Sequence, residues 1–205
     1  MRSIKKAPEP QSLTAFNKGA HINWDDIHLP NNQHVYNDCI CQCVLDQEDL
    51  CGYTEICLDE GGRHIDHYIK KDLEPGLTFS WNNMVGAIKD SRFGADWKDN
   101  NIAAAGYNRS IRRYDNIYDP ISDNLAGVFK FSTDGEIEPV NSTDQKAVTT
   151  ISVFNLNEHS LKERRRQCME NARDMFSGGM TKADIVTYLR GDGFVSAINF
   201  ELEQL

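Results

Sequence analysis

The stretch from Arg63 to Asn100 constrains this chain more than any other. It opens with Arg63-His64-Ile65-Asp66-His67-Tyr68 and passes a break at Pro75-Gly76. It continues with Ser80-Trp81-Asn82-Asn83-Met84-Val85 and closes with Gly94-Ala95-Asp96-Trp97-Lys98-Asp99-Asn100. An Asp-His pair ends a short β-like segment, an asparagine beside a tryptophan follows, and a carboxylate comes about one helical stretch later. The implied order is strand, loop, strand, helix. On an extended strand the side chains of Asp66 and His67 leave opposite faces, so an acid and an imidazole can approach one bond from two sides.

Bulk properties limit what can surround that unit. A chain of 205 residues fits one domain, or one core with helical additions. Hydrophobic content of 40% and charged content of 26% are globular values and exclude wholesale disorder. There is no apolar run of the length a membrane span needs, and Met1-Arg2-Ser3-Ile4-Lys5-Lys6 leads to Pro8 and Pro10 rather than to a signal-peptide core. A soluble, cytoplasmic protein that binds no membrane is the expectation. The six cysteines are unevenly spaced, which predicts reduced thiols rather than a disulfide scaffold.

A net charge of −9 argues against a free-standing nucleic-acid binder, because non-specific affinity comes from neutralising phosphates. Two basic clusters, Arg109/Arg112/Arg113 and Lys162/Arg164/Arg165/Arg166, are open to three readings: phosphate contact, acidic-partner contact, or solvated helix faces.

The predicted fold class is α+β, a mainly helical body carrying a strand–strand–helix unit and an extra β-hairpin. Residues 1–32 read as a docking arm anchored by Trp24, Ile27 and Leu29. Residues 33–102 read as a helix over 33–50 followed by the site-bearing core, with Cys51 to Asp66 as a tight hairpin turning at Asp59-Glu60-Gly61-Gly62. Trp81 to Val85 reads as a strand and Val85 to Ala95 as helical. Residues 103–205 read as mostly helical, with a helix over 101–118, a hairpin across Thr133-Asp134-Gly135-Glu136, and helices opened by Glu158 and Thr181.

Phosphodiester hydrolysis needs a deprotonated water in line with the departing oxygen. His67 is the candidate general base, since a pKa of about 6.5 leaves neutral imidazole near neutral pH. Asp66 is the candidate ligand for a hard cation, Mg²⁺ or Mn²⁺. Asn83 would bond backbone near His67 and fix the ring's direction. A further oxygen ligand is expected from the next helix, Asp96 first and Asp90 second. His64 shares the face of Asp66, so it either touches phosphate or covers the hairpin.

The chain resembles the HNH nuclease subunit of Septu antiphage systems, also found as an effector in retron defence modules. The family's opening matches Met1-Arg2-Ser3-Ile4-Lys5-Lys6 with Pro10. Its Ile-acidic-His block matches Ile65-Asp66-His67, its Trp-x-Asn-Leu matches Trp81-Asn82-Asn83-Met84, and its Cys-Asp-x-Lys matches Ala95-Asp96-Trp97-Lys98. Ile117-Tyr118-Asp119-Pro120 and the run from Thr150 to Asn157 are similar too. The resemblance implies a ββα-metal endonuclease acting on DNA or RNA, with Lys98 facing phosphate. It also implies an ABC-type, SMC-like ATPase partner and, in retron versions, a reverse transcriptase with its RNA–DNA hybrid. Where the family carries two cysteine pairs around a structural zinc, this chain keeps Cys51 but has Thr54, Gly86-Ala87 and Ala95, so no structural zinc is expected. Two other readings compete: a catalytically inactive HNH-like adaptor bridging the ATPase to other components, and a small zinc-binding regulatory domain.

Overall fold

The computed structural model describes residues 1–21, 23–60, 62–101 and 113–205. The fold is α+β, close to half helical, with two small antiparallel hairpins. Among the described residues no helix is long and apolar enough to cross a membrane.

Helix α1 (Gln11–Phe16) and helix α2 (Gln33–Asp46) form the N-terminal layer. On α2 the buried set is Val35, Cys39, Ile40 and Cys43, while Cys41 is exposed, which is the separation a 3.6-residue period gives. Strand β1 (Arg63–His67) pairs antiparallel with β2 (Met84–Ile88), placing Ile65 opposite Gly86, Asp66 opposite Val85 and His67 opposite Met84. The pleat then divides the apolar residues. Ile65 and Met84 join a cluster with Leu13, Ile27, Cys39 and Trp81; Val85 and Ala87 join a larger one with Tyr53, Phe154, Leu161 and Phe194. The sheet is thus a wall between two cores. The end of α2 lies directly on it: the Gln47 amide exchanges hydrogen bonds of 2.7 and 2.8 Å with the backbone of Gly86, where a β-carbon would sit 3.2 Å from that amide.

Two sequence expectations fail here. Cys51 to Asp66 is not a hairpin. Leu50 bridges Cys57 alone, and β1 reaches forward across residues 68–83 to β2. Gly61 of the expected turn lies outside the described residues. The cause is Glu55, which adopts a positive φ of 64° and turns its buried carboxylate to the Met1 amine at 2.8 Å. That ion pair folds 51–57 inward instead of extending it. The segment from Val85 is strand rather than helix as far as Ile88, because every residue of β2 is buried and apolar, with no polar face for a helix to present. Helix α3 (Gly94–Asn101) follows and packs on β2.

The C-terminal half carries β3 (Phe129–Phe131) and β4 (Ile137–Pro139), the expected hairpin, then α4 (Gln145–Val153), α5 (His159–Ser177), α6 (Lys182–Leu189) and α7 (Val195–Gln204). Asp144, Glu158 and Thr181 cap α4, α5 and α6 through their side-chain oxygens. The helix expected over 101–118 falls largely outside the described residues, as do Arg109 and Arg112. In the N-terminal arm Trp24 and Ile27 pack inward, but Leu29 is 52% exposed and anchors nothing.

The turn between β3 and β4 is pressed against α5. Gly135 has a φ of +79°, and a β-carbon there would lie 2.1 Å from the Lys162 carbonyl oxygen. Gly127 has a φ of +71° but open space around it. Gly135→Ala should therefore lower unfolding free energy by about 2 kcal/mol or more, and Gly127→Ala by about 1 kcal/mol. Denaturant midpoints read the difference; equal midpoints would mean that the turn can lift off α5.

Candidate active site

His67 ends β1 on the face opposite Asp66, as alternation requires. Its Nε2 lies 2.8 Å from the Thr78 carbonyl oxygen. A carbonyl only accepts, so in the neutral ring Nε2 carries the proton and Nδ1 holds the lone pair. Burial holds the imidazole's pKa below its ordinary value, against the Thr78 bond and the Asp66 charge, which pull it up. The positive charges of Lys98 and Lys71 lower it further. The residue is 7% exposed, and the Trp24 indole stands perpendicular to its ring with centroids 4.5 Å apart.

Asn83 sits in the turn just before β2 and ties down the loop that leaves His67. Its Oδ1 accepts from the Ile69 N–H at 2.8 Å, and its Nδ2 donates to the Ile69 and Leu77 carbonyls at 3.0 and 3.3 Å. Its own carbonyl accepts from the Tyr68 N–H at 2.9 Å. These bonds go to backbone beyond His67, while the ring itself is held by Thr78.

Asp66 is placed otherwise than expected. Its Oδ2 accepts from the Tyr53 hydroxyl at 2.6 Å and from Lys98 Nζ at 2.8 Å, all three residues being buried. Lys98 Nζ also meets the His67 carbonyl at 2.5 Å, the Tyr68 carbonyl at 3.1 Å and Asp99 Oδ1 at 3.1 Å. Burial works against the ammonium, yet the Asp66 and Asp99 carboxylates outweigh it and hold its pKa above the ordinary lysine value. Fully buried and surrounded by acceptors, Lys98 does not face phosphate. It is a cation built into the fold.

That arrangement decides the fit of a divalent ion. Residues two apart on a helix point about 200° apart, so with Lys98 turned to Asp66, Asp96 turns away. The carboxylate that does approach is Asp99, with the ammonium between. Asp90 is held by Arg92, through its backbone N–H at 2.8 Å and its guanidinium at 2.7 and 3.0 Å. Among the described residues no three His, Cys, Asp or Glu side chains converge as a metal site would need. With Asp66 Oδ2 taken by Tyr53 and Lys98, and the ammonium standing between it and Asp99, the residues at Asp66 do not fit a two-carboxylate Mg²⁺ or Mn²⁺ site. His64 shares the face of Asp66 and is half-buried, with Nδ1 lacking a hydrogen-bond partner.

Sequence reasoning missed Lys71, whose charge reaches His67 from the loop, and the pairing of Trp24 with the imidazole. The second basic cluster is spent internally. Lys162 pairs with Asp134 and Glu136, Arg165 donates to the Gly135 and Leu156 carbonyls, and Arg166 pairs with Glu163 and Glu170. Arg164 lies over the Phe194 ring. No protein-family model and no curated protein matches this chain.

Lys98→Met should destabilise by about 3–5 kcal/mol, because it strands the Asp66 carboxylate in the core. The double variant with Asp66→Asn should recover part of that loss, and thermal unfolding reads both. A single variant as stable as the parent would mean that water or an ion replaces the ammonium.

The lowered pKa of His67 also fixes a pH dependence. The stability it contributes is fully present above the unfolded value of about 6.5 and is lost as pH falls through the lower folded value. The fall in melting temperature below pH 6.5 should be shallower in His67→Gln, which cannot titrate there. Parallel melting curves would remove this account.

Proposed function

We propose that the chain is an HNH-type endonuclease that hydrolyses phosphodiester bonds of DNA or RNA, with His67 as general base. The observation that carries this reading is the pairing of His67 Nε2 with the Thr78 carbonyl, which leaves Nδ1 to take a proton. The order of β1, β2 and α3, with His67 at the end of one strand and Asn83 in the turn just before the next, supports it. In the reaction Nδ1 removes a proton from water, the water oxygen bonds to phosphorus, and the bond to the opposite oxygen breaks. That oxygen takes a proton from solvent. Asn83 keeps the loop in place, and the charge of Lys71, which reaches His67, would attract the phosphate. No step is routed through a divalent ion, because the residues at Asp66 do not fit one.

By resemblance, the assembly would be a bacterial antiphage complex with an SMC-like ABC ATPase, extended in retron versions by a reverse transcriptase and its RNA–DNA hybrid. The net charge of −9 and the internal use of the second basic cluster support a borrowed grip on nucleic acid. The inactive-adaptor reading is favoured by one observation, the 7% exposure of His67.

The test incubates the chain, alone and with the ATPase, with labelled DNA and RNA in Mg²⁺, Mn²⁺ or chelator. His67→Ala should cut at least about a hundredfold more slowly than the parent. The rate should fall only below pH 6.5, since burial keeps the imidazole neutral above it. Undiminished cutting and phage protection by His67→Ala would establish the adaptor.

A further inference from the structure

We propose that the Trp24–His28 turn is an autoinhibitory cover: seated on the body it closes the His67 imidazole to a polynucleotide, and it lifts before the site acts. The proposal rests on the endonuclease reading and names the regulation of that site.

His67 is 7% exposed, too little for a phosphodiester and its attacking water to meet the ring together. The side chain that stands against it comes from outside the unit of β1, β2 and α3. Trp24 lies on the link between α1 and α2, its indole perpendicular to the imidazole with centroids 4.5 Å apart. The same indole packs on Phe79 at 5.9 Å and 27°, and on Tyr36 of α2 at 6.2 Å and 68°. One ring thus bridges β1, the loop that holds the imidazole, and α2. The general-base chemistry has no use for it, since an indole cannot take a proton from water and Thr78 already sets the tautomer.

The turn is built as a unit. Asn23 and Asp26 form a reciprocal capping box, and Asn32 Nδ2 donates to the Asp26 carbonyl at 2.8 Å. The Asn32 and Gln33 N–H groups donate to the Leu29 carbonyl at 2.8 and 3.0 Å. These bonds close within residues 23–33, so they survive when the segment shifts. Its seat on the body is apolar: Ile27, fully buried in the N-terminal cluster, and half-buried Trp24 packed against that cluster. A short segment seated by two side chains belongs to the low end of local opening free energies, from which lids are drawn.

Charge acts in the same direction as bulk. The residues that follow the covering ring are Asp25, exposed, and Asp26, half-buried. Two carboxylates on the cover repel a phosphate backbone, so the seated turn excludes a polyanion twice over. Lifting it removes them and leaves the imidazole with the charge of Lys71, which reaches it from the loop. The low exposure of His67 is then a property of the resting form rather than of a dead scaffold.

The experiment reads the imidazole first and cutting second. The full chain, unsubstituted and as Trp24→Ala, is treated with diethyl pyrocarbonate at about pH 7.5, where the ring is neutral. Labelling of His67 is followed by peptide mass spectrometry against exposed His159. Trp24→Ala should label His67 about tenfold faster and, alone, cut labelled DNA or RNA about tenfold faster, the gain from releasing a form closed about nine parts in ten. Leu13→Ala, in the same cluster but on α1, controls for general loosening and should leave His67 labelling unchanged. In the unsubstituted chain the amides of residues 24–29 should exchange with solvent at least about tenfold faster than those of β1 and β2, a measurement that stands even if Trp24→Ala fails to fold. Equal protection of turn and strands overturns the cover, as does unchanged labelling in Trp24→Ala or an equal rise in Leu13→Ala. Faster labelling in a chain that cuts, but cuts no faster, overturns it too. Faster labelling in a chain that cuts nothing in either form, alone or with the ATPase, supports the cover and removes the nuclease.

Discussion

The arrangement turns on the buried ammonium of Lys98. It joins the Asp66 side chain and the His67 and Tyr68 carbonyls at the end of β1 to α3, which follows β2. Taking an ammonium and carboxylates out of water is costly, and the cost is offset only when their hydrogen-bonding capacity is met inside. Here the ammonium finds two carboxylates and two carbonyls, and Tyr53 adds a further donor to Asp66. The result fixes the strand against the helix as a structural metal would, by a central positive charge with oxygen around it. It also anchors the backbone of His67 from one side while Thr78 holds the ring from the other. An imidazole fixed at both ends has one orientation, which a general base requires.

Short-range rules carried the reading as far as they reach. Alternation along β1 put Asp66 and His67 on opposite faces, and that is where they lie. It did not say what each face would meet. Because the sheet is a wall between two cores, opposite faces mean separation: Asp66 enters the larger cluster with Tyr53, while His67 looks toward Trp24. The rotation of α3 is set by packing on β2, a tertiary choice to which Asp96 and Lys98 are indifferent when read as a string. A lysine in a polar helix looks solvated until the carboxylates that bury it are known.

The mistaken hairpin has the same origin. Asp59 to Gly62 is a sound turn signal, but a local turn competes with distant partners. The buried ion pair of Glu55 with the Met1 amine and the bridge between Gln47 and Gly86 both fix the neighbourhood of Cys51 from far along the chain. Elements whose partners are close in sequence, such as the hairpin of β3 and β4 and the capped helices after it, were legible because their signals and their contacts coincide.

Charge placement ties the fold to the proposed chemistry. The arginines of α5 look like a phosphate-binding patch in the sequence, yet in the structure they act as internal struts: Arg165 caps the carbonyls of Gly135 and Leu156, and Arg166 bridges two glutamates of its own helix. Their removal from the account leaves Lys71, whose charge reaches His67 from the loop, while Arg63 is paired with Asp59. An acidic chain of this kind attracts a polyanion weakly. In the proposed reading, affinity comes from a basic partner and the chemistry from the fixed imidazole, which is how a chain of net charge −9 can act on a polyphosphate.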